Sequence, residues 1–155
     1  MKAISLLQPW ASLVAIGAKR IETRSWPTKY RGPLAIHASK STKMISELTW
    51  DEPFYSALVN KVPSGEMPLG SVVATCRLRD CWQIVSKEIG TEDVSLKLKI
   101  PGVDLAAGAT IGMQEYRFGD YAPGRYIWRL ADVKPLPEPI PARGMQGLWN
   151  WEVPE

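Results

Sequence analysis

The run from residue 8 to residue 31 constrains the fold most, because its periodicity changes from helical to extended within a short length of chain. Apolar residues recur at helical spacing over residues 9–17, which predicts a short helix that ends near Gly17. Residues 20–26 alternate instead, which predicts a strand with an unusually charged face. That face consists of Arg20, Glu22, Arg24 and Trp26. A Trp-Pro turn at Trp26 and Pro27 follows it.

Positive charge is concentrated in this same run. It holds five Lys or Arg residues against one acid, a local charge of +4, whereas the formal charge of the whole chain is +3. The remaining residues therefore sum to −1. The sequence thus predicts an anionic ligand for this region, although the pI near 8.9 permits a nucleic-acid partner without requiring one.

The rest of the chain predicts several strands and two or three helical pieces. The strands are expected over residues 4–7, 34–38, 71–85 and 124–133, with a broken helix over 39–61 and a loop over 63–68. A last segment spans residues 148–153. The glycine- and alanine-rich end of residues 87–112 predicts a loop. Prolines at 135, 137, 139 and 141 predict a polyproline-like connector that is neither strand nor helix.

Strands and helices do not alternate regularly, which argues against a doubly wound sheet. The pattern predicts the α+β class, a small and mostly antiparallel β-barrel with helices packed outside. A length of 155 residues predicts one domain over residues 1–155.

The compartment is predicted from the cysteines and from the lack of long apolar runs. Cys76 and Cys81 lie five positions apart in a strand-like segment, which places them on opposite faces and about 17 Å from each other. Two unpaired thiols suit a reducing cytoplasm. No signal-peptide pattern and no apolar run near the length of a membrane span are found, so we expect a cytoplasmic chain with no membrane partner.

Three groups of motifs resemble the ASCH domain (activating signal cointegrator homology) in its bacterial and phage form. The first group is S-L-x-Q-P-W-A from Ser5, G-x-K-x-x-E-x-R-x-W from Gly17 and Y-R-G-x-L-x-I-H-A from Tyr30. The second is F-G-D-Y from Phe118 with G-R-Y-x-W from Gly124, and the third is R-G-x-Q-G-L-W from Arg143. The resemblance implies a PUA-like β-barrel with flanking helices and a cleft that binds RNA. Some members act on RNA or on modified cytidine nucleosides.

Lys19 and Glu22 are the first candidates for catalysis, because an ammonium can bind phosphate and a carboxylate can accept a proton. Arg24 could hold Glu22 bidentately, and Glu115 is a second carboxylate that could enter the same cleft. A structural ion pair explains Lys19 and Glu22 equally well. In the relatives that hydrolyse N4-acetylcytidine, a Thr stands three residues after the Lys. Here that position is Glu22, which counts against an amidohydrolase.

A nucleic-acid site needs cations for phosphates and flat side chains for bases. The residues predicted to bind nucleic acid are Lys19, Arg24, Trp26, Lys29, Tyr30, Arg31, Arg143 and Gln146. A simple turn before a core Trp149 explains Arg143 and Gln146 equally well. One His and two separated Cys do not match zinc spacing; Mg²⁺ on Glu22, Glu115 or Asp120 stays open without a motif.

The sequence therefore predicts a domain that binds RNA or a nucleotide-like ligand in a basic, aromatic-edged cleft. The alternative is an enzyme in the same cleft, either a single-strand ribonuclease or an amidohydrolase of N4-acylated cytidine. A protein-interaction module that uses the proline connector is a third class. The oligomeric state is open.

Overall fold

The computed structural model describes residues 1–48, 51–62 and 67–155. Strands make up most of its regular structure. In chain order the elements are β1 (Lys2–Leu6), α1 (Trp10–Ala15), β2 (Ile21–Arg24), β3 (Gly32–Ala38), α2 (Ile45–Leu48), α3 (Phe54–Leu58), β4 (Ser71–Ile89), β5 (Asp93–Lys99), β6 (Ala106–Gly112), α4 (Met113–Arg117), β7 (Tyr126–Pro141) and β8 (Leu148–Asn150). The predicted loop over 63–68 lies largely outside the described residues.

The chain divides into two compact units. Unit 1 comprises Met1–Lys19, Pro33–Arg77 and Asp132–Glu155, and unit 2 comprises Arg20–Gly32 and Leu78–Ala131. The long strands β4 and β7 each contribute residues to both units. The single domain over residues 1–155 stays a prediction.

Unit 1 is built on β1. This strand pairs in parallel with β3, where Ser5 lies opposite His37, and antiparallel with β8. Its core includes Ala3, Ala35, Val72, Trp149 and Trp151, with Leu136 and Ile140 packed against them. β1 and β3 alternate little between buried and exposed residues because both faces of these strands are covered.

Unit 2 consists of two antiparallel arrangements. β2 pairs with the start of β7, and β5 lies between β4 and β6 in a meander. The core of unit 2 contains Ile21, Ile84, Val94, Leu96, Leu98, Ile111, Tyr121 and Ile127. The strictly alternating burial of β5 shows one face on this core and one in solvent.

The predicted α+β class is confirmed, with much more strand than helix. The barrel is corrected. Within the described residues the hydrogen-bonded strand order is β2-β7-β4-β3-β1-β8, with β5 and β6 reached from β4, and this order is not closed. Cys76 and Cys81 are unpaired, as predicted, and the structure shows that both are buried. No described helix is long and apolar enough to cross a membrane.

The loop predicted over residues 87–112 is wrong. β4 continues to Ile89, and β5 and β6 form a hairpin in this region. Val94, Leu96 and Leu98 all lie in the core, so their burial drives the strand. The glycines and alanines of β6 have little strand preference of their own, but pairing with β5 along its full length overrides that preference.

The connector predicted at the prolines is also wrong, because β7 continues through Pro141. Backbone N–H groups of a strand point to opposite edges at successive residues. Beyond Asp132, whose positive φ interrupts the regular alternation, the N–H of Ala142 donates to the carbonyl of Gly70 just before β4. Alternation therefore directs the N–H groups of the even-numbered residues 134–140 to the β4 edge. The four prolines occupy the odd positions, where a missing N–H breaks no bond of that ladder.

The stability cost of a proline in this part of β7 should therefore depend on whether its position is odd or even. Pro137→Ala should change the free energy of unfolding by less than about 1 kcal/mol, whereas Glu138→Pro should cost about 3 kcal/mol relative to Glu138→Ala. Urea unfolding of the purified variants measures both values. If Glu138→Pro lowered the free energy of unfolding no more than Pro137→Ala changes it, the N–H groups of the even-numbered residues would not face β4.

Candidate nucleic-acid interface

Unit 2 brings most of the predicted site residues onto one short segment, named here the basic–aromatic strip. Its members are Glu22, Arg24, Trp26, Lys29, Tyr30 and Arg31. The β2–β7 ladder places Glu22 opposite Trp128 and Arg24 opposite Tyr126. Residues directly opposite in a ladder share a face, so the charged face of β2 continues across β7 as an aromatic face.

Arg24 links the two kinds of group in the strip. Its Nε lies 3.6 Å from Oε1 of Glu22, and its guanidinium carbon lies 6.0 Å from the ring centre of Trp26. The Arg24 and Glu22 side chains are 27% and 13% exposed. The guanidinium is therefore held against both a carboxylate and an aromatic ring while part of it still meets solvent.

Trp26 is held from beneath by Trp128. The two rings are perpendicular, with centres 4.7 Å apart, and Trp128 is fully buried whereas Trp26 is half-buried. An edge-to-face contact of this kind is a preferred geometry for indole rings. The half-exposed indole of Trp26 is thus a fixed, flat surface.

The turn after Trp26 is braced by its own hydrogen bonds. Arg31 Nη1 donates to the carbonyls of Thr28 (3.0 Å) and Tyr30 (2.8 Å), and the N–H of Tyr30 donates to Thr28 Oγ1. The N–H of Thr28 donates to Sγ of Cys81. Lys29 and Arg31 are exposed on this turn, so both cations meet solvent from a braced backbone.

The Cys81 thiol supports the turn and is not a reactive thiolate. Burial raises the pKa of Cys81, and the N–H of Thr28 and the charge of Arg31 offset only part of that increase.

Glu115 binds the backbone at the start of β2. Its carboxylate accepts the N–H of Arg20 at 3.0 Å to Oε2 and the N–H of Ile21 at 2.9 Å to Oε1. Both oxygens therefore hold α4 against the strand. The catalytic role predicted for Glu115 stays a prediction.

The F-G-D-Y motif packs on the other face of β2. The N–H of Asp120 donates to Thr23 Oγ1, and Arg125 Nε lies 3.5 Å from Asp120 Oδ2. A side chain on Gly119 would press on Thr23 at 3.2 Å, which explains the glycine. Thr23 is buried on the face away from Glu22, as expected from strand alternation.

Two aromatic residues near the strip were not predicted as site residues. The indole N–H of Trp128 and the hydroxyl of Tyr121 are buried and have no hydrogen-bond partner among the described residues. Burial raises the pKa of Tyr121, and the charges of Glu115 and Glu22 raise it further. Strand alternation places Trp128 on a buried face, but only the pairing register places it opposite Glu22.

The remaining predicted site residues belong to unit 1. Lys19 is 1% exposed, and its N–H donates to the Leu13 carbonyl at the end of α1. Only a ligand group that enters the protein interior can reach its ammonium. Arg143 and Gln146 are exposed on the 143–147 loop between β7 and β8.

One chain of hydrogen bonds flanks this loop. His37 Nε2 lies 3.0 Å from the Ala142 carbonyl, and His37 Nδ1 lies 3.0 Å from Ser5 Oγ. Trp149 Nε1 donates to the same Ser5 Oγ at 3.3 Å. His37 is therefore a satisfied, buried residue of β3.

Among the residues that the structure describes, no three His, Cys, Asp or Glu side chains are grouped so that they could hold a metal ion. The Mg²⁺ considered at Glu22, Glu115 or Asp120 therefore has no ready set of protein ligands in the described ranges.

Comparison with known proteins agrees with the motifs. The model of the ASCH domain family matches residues 4–135. Activating signal cointegrator 1 from Homo sapiens and from Mus musculus are each 36% identical to the chain over 80 residues. Those residues cover 50% of this chain and only 14% of the length of either relative.

The Glu115 bonds predict a stability effect. Glu115→Gln should lower the free energy of unfolding by about 0.5–1.5 kcal/mol, because the amide nitrogen cannot accept an N–H and one partly exposed bond is lost. Glu92→Gln, which alters an exposed carboxylate of the same unit, is the control and should be neutral. Urea unfolding followed by tryptophan fluorescence measures both. Equal stability of the two variants would contradict the role of Glu115 in holding α4 against β2.

Proposed function

Since the chain belongs to the ASCH domain family, a PUA-like family generally linked to RNA binding, we propose that this protein binds single-stranded RNA along the basic–aromatic strip. The observation that carries the proposal is the cation–π contact of Arg24 with Trp26, 6.0 Å from the ring centre, next to a braced turn with exposed Lys29 and Arg31. Flat rings and cations alternate here within ten residues of chain, about the reach of a few nucleotides.

The chemistry of the strip matches the two parts of a nucleotide. The half-exposed ring of Trp26 offers a face for a base, with Tyr30 as a second ring. The exposed cations Lys29 and Arg31 suit phosphates, and the Arg31 fork is already oriented by two carbonyls. Because the Trp26 ring and the turn are held in place before binding, little conformational entropy is lost when RNA binds.

The strip favours a single strand over a duplex. A ring can stack on Trp26 only if the base is unpaired, and bases in A-form RNA are stacked on their neighbours. Affinity for single-stranded RNA should therefore exceed affinity for a duplex of the same sequence.

The same proposal includes roles for residues outside the strip. Arg143 and Gln146 are proposed as additional RNA contacts because both are exposed. Lys19 fits only a phosphate or base group that enters the interior. We also propose one ASCH domain over residues 1–155 and a cytoplasmic location, for which the two buried, unpaired thiols are the support.

The strip predicts which cation matters for RNA. Lys29→Ala should weaken binding of a labelled single-stranded RNA about 2- to 5-fold and lower the slope of log affinity against log salt by about 0.7, one phosphate contact. Fluorescence anisotropy at several salt concentrations measures both quantities. Lys134→Ala, which removes an exposed cation of unit 1, is the charge-matched control and should bind like the wild type. Equal effects of the two variants on RNA affinity would contradict RNA binding along the basic–aromatic strip.

RNA cleavage is the second candidate, favoured by the shielded carboxylate of Glu22 beside Arg24. In such a reaction Glu22 takes the proton of a ribose 2′-hydroxyl, and O2′ bonds to phosphorus. The P–O5′ bond then breaks, and the leaving O5′ takes a proton from a water molecule, whose hydroxide takes back the proton that Glu22 accepted. The products are a 2′,3′-cyclic phosphate and a 5′-hydroxyl end. Hydrolysis of N4-acylated cytidine is less favoured, because Thr23 is buried on the other face and bonded to Asp120.

Glu22→Gln tests the cleavage candidate. If Glu22 is the base, the variant should cleave labelled RNA at least about 100-fold more slowly while its affinity stays within about twofold of the wild type. Gels run with Mg²⁺ or with EDTA report shift and cleavage together. A salt-sensitive shift without cleavage in the wild type would favour binding alone, and cleavage that persists in Glu22→Gln would exclude Glu22 as the base.

A further inference from the structure

The hydrogen-bond chain through His37 has a defined direction. The Ala142 carbonyl can only accept, so His37 Nε2 carries the hydrogen that it donates. Burial lowers the pKa of His37, so the ring is neutral near pH 7 and its Nδ1 accepts from the Ser5 hydroxyl. Ser5 Oγ in turn accepts from the indole N–H of Trp149, which can only donate. In this series of hydrogen bonds, every donor thus faces an acceptor.

The first and last residues of this hydrogen-bond series, Ala142 and Trp149, lie on either side of one loop. Ala142 directly precedes residues 143–147, and Trp149 follows them after Leu148. His37 and Ser5, which lie opposite each other on β3 and β1, therefore join both stems of the 143–147 loop to the sheet of unit 1.

The middle of the loop rests on the same two side chains. A Cβ on Gly144 would lie 2.7 Å from both His37 Nδ1 and Ser5 Oγ, and closer still to His37 Cε1. The His37 ring also meets the Trp149 ring edge to face at 5.6 Å. The loop is therefore anchored at the residues on either side of it, Ala142 and Trp149, and approaches His37 and Ser5 closely at Gly144. Its residues Arg143, Met145 and Gln146 are exposed.

We infer that His37 is a positioning residue for RNA binding, which holds the 143–147 loop so that Arg143 contacts a phosphate and Gln146 a base edge. A guanidinium fork suits a phosphate, and an amide offers both a donor and an acceptor to a base. The inference rests on the proposed RNA binding, and it adds a loop of unit 1 and the buried group that orders it.

A double-mutant cycle on RNA affinity tests this role. Arg143→Ala and His37→Ala should each weaken binding of a labelled single-stranded RNA by about tenfold, the loss of one hydrogen bond to a charged group. The double variant should bind clearly better than the roughly 100-fold loss that two independent effects would give, because in the Arg143→Ala background only the Gln146 contact still depends on the held loop. His37→Gln, whose amide N–H can still reach the Ala142 carbonyl, should recover part of the affinity.

The controls separate positioning from general stability. Val72→Ala removes buried apolar volume from the core of the same unit and should destabilise the fold without changing RNA affinity. If His37→Ala does not fold, Ser5→Ala and His37→Gln take its place in the cycle, since each alters one link of the chain.

The outcomes distinguish this inference from the proposed function. Additive effects of His37→Ala and Arg143→Ala, or unchanged affinity in both, would overturn the positioning role. If Lys29→Ala still weakens binding in that case, the strip remains supported. No RNA binding by the wild type would overturn both proposals.

Discussion

The antiparallel ladder between β2 and β7 is the constraint on which the candidate site depends. Its register sends Ile21 and Thr23 to the buried face, and it sends Glu22 and Arg24 to the face that carries Trp128. The carboxylate of Glu115 accepts the N–H of Arg20, just before β2, and the N–H of Ile21, its first residue, and so fixes where this strand begins. A shift by one residue would exchange the two faces, burying Arg24 and exposing the core residues.

The polar groups of the basic–aromatic strip contact each other as well as solvent. Arg24 lies between Glu22 and Trp26, and Arg31 donates to its own turn. Such bonds lower the freedom of long side chains before any ligand arrives. The strip is therefore a braced surface of modest charge, and its proposed selectivity for unpaired bases rests on the ring of Trp26 more than on charge.

Sequence periodicity predicted the elements with strong apolar patterns and missed those that depend on neighbours. The strand over 20–26 and the helix over 9–17 match β2 and α1 with small differences at their ends. β6 has only small residues to support it, and β5 supplies the pairing that its composition does not predict. The prolines of β7 predicted a connector because the sequence alone does not show which edge of the strand their positions face. Only the pairing of the strands shows that they face away from β4.

The sequence by itself determined the family, the α+β class, the two unpaired cysteines and the concentration of charge and aromatic residues in residues 19–31. These properties follow from local composition, spacing and motifs. Tertiary structure alone decided that Trp128 lies opposite Glu22, that Lys19 is buried, and that His37 joins both stems of the 143–147 loop. Register, burial and hydrogen-bond partners join residues far apart in the chain, and a local pattern carries no record of those pairings.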